Sequence, residues 1–221
     1  MENVKPKLRG RFHQAAFYLT LISTILYLIC WMFTKGNTGI VIYLLSQLIL
    51  FGISYKYHTT VWKNHRIERI FQLLDHISIF ILISGTQTSV ALTLLPSSRY
   101  TRYLLTLTWS ITVGGILKIV LMQKLHHVFD LCVYILHGIS VVPFFKILID
   151  NLSPVDLILF ICGGSIYVAG GIIFGIEKPN PIPHIFGYHE VFHVFTVVAN
   201  YCFFIPILKN YIQSLDIKIF L

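Results

Sequence analysis

Residues 188–208 read YHEVFHVFTVVANYCFFIPIL, a metal-type His-Glu-x-x-His pair at the front of a run apolar and long enough to enter a bilayer. On a helix, residues four apart share a face, so His189 and His193 can offer two nitrogens to one ion. Ionisable groups are expensive to place at membrane depth, and where they occur they mark function. The five-residue pattern alone arises by chance in many proteins. Its weight depends on whether other parts of the chain bring ligands to the same depth.

Working outward, the rest of the chain is of the same kind. Of its 221 residues, 56% are hydrophobic and only 12% charged, and the mean hydropathy is +0.75. A soluble domain carries about 25% charged residues. Stretches near the roughly 20 apolar residues that cross a hydrocarbon core recur throughout. The reading is an all-α, polytopic bundle of seven transmembrane helices at 15–33, 40–57, 73–95, 103–122, 129–148, 155–176 and 188–208. A cytoplasmic segment (1–14) precedes the bundle (15–208), and a short extracytoplasmic tail (209–221) follows it. The first span is too long for a signal-peptide core and no small-residue cleavage site follows it, so it reads as a retained anchor.

The net charge of +8 reports topology rather than nucleic acid. With the N-terminus inside, cytoplasmic segments collect Lys5, Lys7, Arg9, Arg11, Lys56, Lys63, Arg66, Arg69, Lys118, Lys124 and Lys178. The other side holds Lys35, Arg99, Arg102, Lys146, Lys209 and Lys218. That bias orients the chain N-terminus in and C-terminus out, and the basic residues meet anionic lipid head groups. Cys30, Cys132, Cys162 and Cys202 lack C-x-x-C spacing and read as buried free thiols.

Seven spans make a geometric statement. The end of the second helix, the start of the third and the start of the seventh share the cytoplasmic side. His58, Asp75, His189 and His193 therefore converge at one depth, with Ser54 one turn deeper than His58 on the same face. Three imidazoles with an open fourth position, and a carboxylate and hydroxyl beside it, make a plausible tetrahedral catalytic zinc site. Glu190 would be the general base in a soluble zincin, but it is rotated about 100° from His189. The base role falls to Asp75, with Glu190 exposed or behind the ligands.

The remaining polar residues have plainer readings. His126, His127 and Asp130 form a solvated loop, His137 is a hydrogen-bonded core residue, and His13, His65 and His76 are interfacial. His184 lies in a stiff, proline-rich loop before the site. Gly114-Gly115, Gly163-Gly164, Gly170-Gly171 and Gly175 allow close helix contacts, and Thr108 and Thr112 bond between helices. Lys118 and Lys146 snorkel to the head groups.

Ser54-x-x-x-His58, Leu74-Asp75-His76 with the following stretch to Thr88, and Gly187-Tyr188-His189-Glu190-Val191-Phe192-His193 resemble the hemolysin III family, within the progestin and adipoQ receptor superfamily. The resemblance runs from about Arg11 to Lys209. It implies seven helices with the N-terminus cytoplasmic, zinc held by His58, His189 and His193, and Asp75 and Ser54 near the water at the fourth position. Adiponectin receptors in the superfamily are associated with ceramidase-type amide hydrolysis, and bacterial members are named for haemolytic, pore-forming behaviour. Gln87 departs from the family, which more often has an aromatic residue there.

The expectation is a multi-pass cell-membrane protein, of bacterial plasma-membrane type, that uses Zn2+ to hydrolyse a lipid amide. Asp75 would accept a proton and pass it to the leaving amine, and Ser54 would orient water or the developing oxyanion. Membrane lipids are the expected partners. A second reading is non-enzymatic: a haemolytic pore, or a receptor-like protein with structural zinc. A third is an intramembrane metalloprotease with Glu190 as its base, against which the convergence of His58 with the seventh helix argues.

Overall fold

The computed structural model describes residues 6–95, 99–122 and 127–215, the side chains of His127 and Val128 excepted. The chain is helical throughout this range: α1 (Arg11–Phe33), α2 (Thr38–Thr59), α3 (His65–Thr93), α4 (Arg99–Leu121), α5 (His127–Ile139), a 3-10 turn (Val142–Phe144), α6 (Phe145–Asn151), α7 (Pro154–Ile176) and α8 (Tyr188–Ser214). Among the described residues there is no sheet, only an isolated bridge between Ile182 and Phe186. Local signals set the starts. Asn37 and Asn64 each accept two backbone N–H bonds from the first turn they precede, and Ser153 caps a helix that opens on Pro154.

Among the described residues, six stretches are long and apolar enough to cross a membrane: α1, α2, α4, Phe129–Asn151, α7 and α8. The 29-residue α3 is about 43 Å long but falls outside that set. Its apolar content is diluted by Ser78, Ser84, Thr86, Gln87, Thr88 and Ser89, all of which it buries. It packs against α2, α4, α5 and α8, while α1 meets α8 to close the bundle.

Polarity runs opposite to that of a soluble bundle. Leu19, Ile22, Ile25, Leu26 and Ile29 of α1 face outward, while Thr20, Gln47, Ser54, Thr108 and Asn200 are buried. A bilayer rewards this pattern, since lipid tails solvate apolar side chains and only the interior offers hydrogen-bond partners. Thr108 and Thr112 do bond between helices. Their hydroxyls meet Ser84 Oγ at 2.9 and 2.6 Å, and Thr108 Oγ1 meets His137 Nε2 at 2.9 Å.

Close approach depends on small residues. A Cβ on Gly85 would stand 2.1 Å from Ser46 Oγ, so the tightest part of the α2–α3 contact admits nothing larger. Gly171 and Gly175, one turn apart on α7, both face Leu131 of α5.

Several sequence expectations need correcting. The cysteines are free, but Cys30, Cys132 and Cys162 are exposed and Cys202 is half-buried. Thiols are apolar enough to face lipid as readily as a core. Lys118 does not snorkel freely: it pairs with Asp130 and lies over the Phe129 ring. Asp130 is therefore helical and tied, while His126 lies outside the described residues. Helix α8 continues past Leu208 to Ser214.

The expected fifth span, 129–148, is not one helix. It breaks after Ile139 and resumes at Phe145, with Pro143, which has no N–H to donate, in the intervening turn. The break frees carbonyls that lipid cannot satisfy, and Gln87 receives them. Its Nε2 donates to His137 O at 2.9 Å and to Gly138 O at 3.4 Å, and its Oε1 accepts from Ser140 Oγ at 3.1 Å. An aromatic ring at this position could do none of this. Gln87→Leu is expected to cost about 1–3 kcal/mol by removing the donor to Gly138 O and one acceptor of Ser140 Oγ, while His137 O keeps its bond from Ser140 Oγ at 2.6 Å, read as a lower unfolding temperature in detergent. An unchanged temperature would show that the break is held elsewhere.

Candidate metal centre

Two helix ends and the interior of a third helix build the site. α2 brings Ser54 and His58 in its last two turns, and α8 brings His189 and His193 in its first two. Asp75 lies nearly three turns inside α3, which starts at His65, earlier than the apolar run suggests. Ser78 Oγ donates to Asp75 O at 2.6 Å and Tyr134 Oη donates to His76 O at 3.0 Å, fixing the backbone on either side.

The structure brings all five expected residues together. His189 Nε2 lies 3.2 Å from His58 Nε2, and His58 Nε2 lies 3.5 Å from Asp75 Oδ2. The centroids of the His58, His189 and His193 rings lie 4.6–5.1 Å apart. One nitrogen from each falls within 4.8 Å of the other two. Ser54, buried beneath them, has its hydroxyl beside the Asp75 carboxylate. Bonds of about 2.0 Å in tetrahedral geometry put ligand nitrogens about 3.3 Å apart, so the His58–His189 pair has the required spacing. His193 Nδ1 is buried with no hydrogen-bond partner among the described residues. Three imidazoles with one carboxylate and no thiolate form a donor set that suits zinc.

Glu190 is neither exposed nor aimed at these groups. It is fully buried; one carboxylate oxygen accepts from Gly187 N at 2.8 Å, and the other pairs with Arg9. It therefore starts α8 by satisfying an orphan N–H and anchors the N-terminal segment. Both oxygens are thus committed to structural partners. Asn180 Oδ1 accepts from Tyr188 N at 3.0 Å, so the loop from α7 also helps set the first turn that carries His189.

Sequence reasoning missed two neighbours. His13, expected at the interface, is buried with its ring stacked on that of His193. Below it, Thr20 Oγ1 donates to Gln47 Oε1 (3.3 Å), Asn200 Nδ2 donates to the same oxygen (3.1 Å), and Tyr43 Oη donates to Asn200 Oδ1 (2.8 Å). One signal was available. His13, Thr20 and Tyr27 are spaced by seven on a largely apolar helix, which places them on one face.

Comparison with known proteins bears on this arrangement. A family model described as haemolysin-III related matches residues 1–204. The chain belongs to the haemolysin III family. Hemolysin-3 of Bacillus cereus is 31% identical over 169 residues, covering 76% of this chain and 72% of that one. The Hemolysin-3 homolog of Bacillus subtilis (strain 168) is 27% identical over 223 residues, covering 95% of this chain and all of that one. In this haemolysin III protein, then, the histidine cluster stands inside a membrane bundle built from several apolar helices.

The Arg9–Glu190 pair is testable apart from any metal. Arg9→Met strands a buried carboxylate and should cost about 3–5 kcal/mol. Arg9→Met combined with Glu190→Gln should recover much of that loss in a double-mutant cycle read by thermal unfolding. A double variant no better than Arg9→Met would mean that the pair is not coupled.

Proposed function

We propose that this chain is a zinc-dependent hydrolase of lipid amides, with seven spans, its N-terminus and metal centre at the cytoplasmic face of the cell membrane and its C-terminus outside. The grouping of three imidazoles around the Asp75 and Ser54 side chains carries the reading. In it, α3 also spans the membrane and brings the number of spans to seven, its polar face buried by the helices around it rather than exposed to lipid.

His58, His189 and His193 would hold the ion. Bound there, zinc supplies Lewis-acid polarisation of the scissile carbonyl and activation of water at neutral pH. The chain's own groups do the rest. Asp75, with a side chain 15% exposed, accepts the proton that the attacking water releases and returns it to the leaving amine, so that amide plus water give acid plus amine. Ser54 donates a hydrogen bond from its hydroxyl to the oxygen that gathers charge. Phe174 and Phe192 pack around His189 and keep the site in apolar surroundings, where such interactions are strongest. The acyl chain would arrive sideways from the bilayer, with the polar head at the metal.

One observation favours a non-catalytic alternative. Asp75 Oδ2 stands only 3.5 Å from His58 Nε2, near enough for the carboxylate to close the coordination shell and leave a structural zinc. Metal analysis of detergent-purified protein by plasma mass spectrometry, with short-chain ceramide hydrolysis on the same samples, separates the two. The hydrolase reading expects about one zinc per chain, by the usual single-ion stoichiometry of such sites. It expects the zinc to be lost on His58→Ala, His189→Ala or His193→Ala and kept in Asp75→Asn, with turnover falling in Asp75→Asn by at least about a hundredfold. Zinc lost with Asp75 and no turnover in the wild type would favour the structural site, and no zinc at all would sink both.

Orientation has its own check. In a variant without native cysteines, Lys35→Cys should react with a membrane-impermeant maleimide in intact cells. Lys63→Cys should react only after the cells are opened; the reverse pattern would invert the topology. Both lysines are exposed.

A further inference from the structure

The residues ahead of α1 form a strap that ties the metal centre together. Lys7 N and Leu8 N donate to His184 O and Ile185 O at 3.0 and 3.1 Å, joining the strap to the α7–α8 loop. Arg9 pairs with the buried Glu190 at the start of α8. Gly10 sits at φ +76°, and a Cβ there would come within 2.9 Å of His58 Cβ and 3.0 Å of Thr59 Cγ2, so the strap lies directly on the end of α2. Phe12 meets Phe186 edge-on at 5.7 Å. His13 then lies flat against His193, with centroids 3.7 Å apart and an interplanar angle of 4°.

A fourth histidine beside three ligand-spaced ones invites assignment as another ligand, and the stacking argues against it. An imidazole binds a metal through a lone pair in its own ring plane. Two parallel rings one above the other cannot direct lone pairs at one ion, because an ion in the plane of His193 lies well out of the plane of His13. His13 also stands outside the three-imidazole group. Neither of its nitrogens has a hydrogen-bond partner among the described residues, so hydrogen bonding does not explain its place. What remains is the face of the ring.

We propose that His13 is a positioning residue that fixes the ring plane of His193 by stacking, held in place by Gly10 and the strap. The proposal rests on His193 being a metal ligand and concerns only how that ligand is oriented. Residues that orient ligands without binding the metal are worth about 10–100-fold in metal affinity.

Zinc affinity of detergent-purified protein, measured by competition with a chromophoric chelator, tests this together with the d–d absorption of the Co2+-loaded form. His13→Ala is expected to weaken zinc about 10–100-fold. His13→Phe restores a flat ring without nitrogens and should bind within a few-fold of wild type, with unchanged cobalt bands. Gly10→Ala removes no polar group, yet should reproduce the His13→Ala loss by displacing the strap. If His13→Phe loses as much affinity as His13→Ala, with altered bands, a nitrogen is required and the positioning role is wrong. Unchanged affinity in His13→Ala would also overturn it. A wild type that binds no zinc would remove the metal centre itself and this role with it, a result visible before any His13 variant is read.

Discussion

Hydrocarbon offers no hydrogen bonds, and most features of this bundle follow from that. A polar group that leaves one partner must find another within the chain, because no water stands in reserve. Thr20, Gln47, Asn200 and Tyr43 accordingly bond to one another across α1, α2 and α8, and Ser84, Thr108, Thr112 and His137 do so across α3, α4 and α5. Such bonds specify which helix faces meet, a task that lipid-like side chains cannot perform alone. The same constraint lets the chain break the apolar stretch between Ile139 and Phe145, provided that side chains such as Gln87 and Ser140 bond the freed carbonyls.

The histidine cluster is an extension of this internal chemistry to one end of the bundle. His58, His189 and His193 come from helix ends whose own termini need satisfying, and the groups that satisfy them also set the ligand positions. Glu190 does both. It closes the first turn of α8 and pairs with Arg9, so forming the helix that carries two of the imidazoles and docking the N-terminal strap are one event. A glutamate in a His-Glu-x-x-His pattern can thus serve architecture while the neighbouring helix supplies the carboxylate near the ligands.

Much of this was legible in the sequence. Apolar runs located the helices, and alternating direction through the bilayer put the ends of α2, α3 and α8 at one level, where His58, His189 and His193 are in fact grouped. What stayed hidden depended on pairings with no local signature. Residues 129–148 are apolar enough for one helix, and the bonds from Gln87 that support the break come from far away in sequence. Glu190 looked exposed because its partner, Arg9, lies 181 positions away. His13 looked interfacial because a stacked ring leaves no mark except the seven-residue spacing with Thr20 and Tyr27. The cysteines misled for a different reason: in a membrane, the outer surface and the core make nearly the same demand of a thiol.

The tie between the strap and the α7–α8 loop is made by main-chain atoms at Lys7, Leu8, His184 and Ile185. Such a tie asks little of the side chains at Lys7, Leu8 and Ile185 beyond an N–H at the two donors, so these positions can drift in descent while the geometry they hold is preserved; His184, at φ +65°, is less free. Positions 9 and 190 have no such freedom and can change only as a pair. Position 10 favours glycine, because its φ is +76° and a Cβ there would press on His58 and Thr59. Among descendants of this chain, the strap would diverge in appearance around two fixed points, and aligned letter by letter it would look dispensable while its shape was inherited intact.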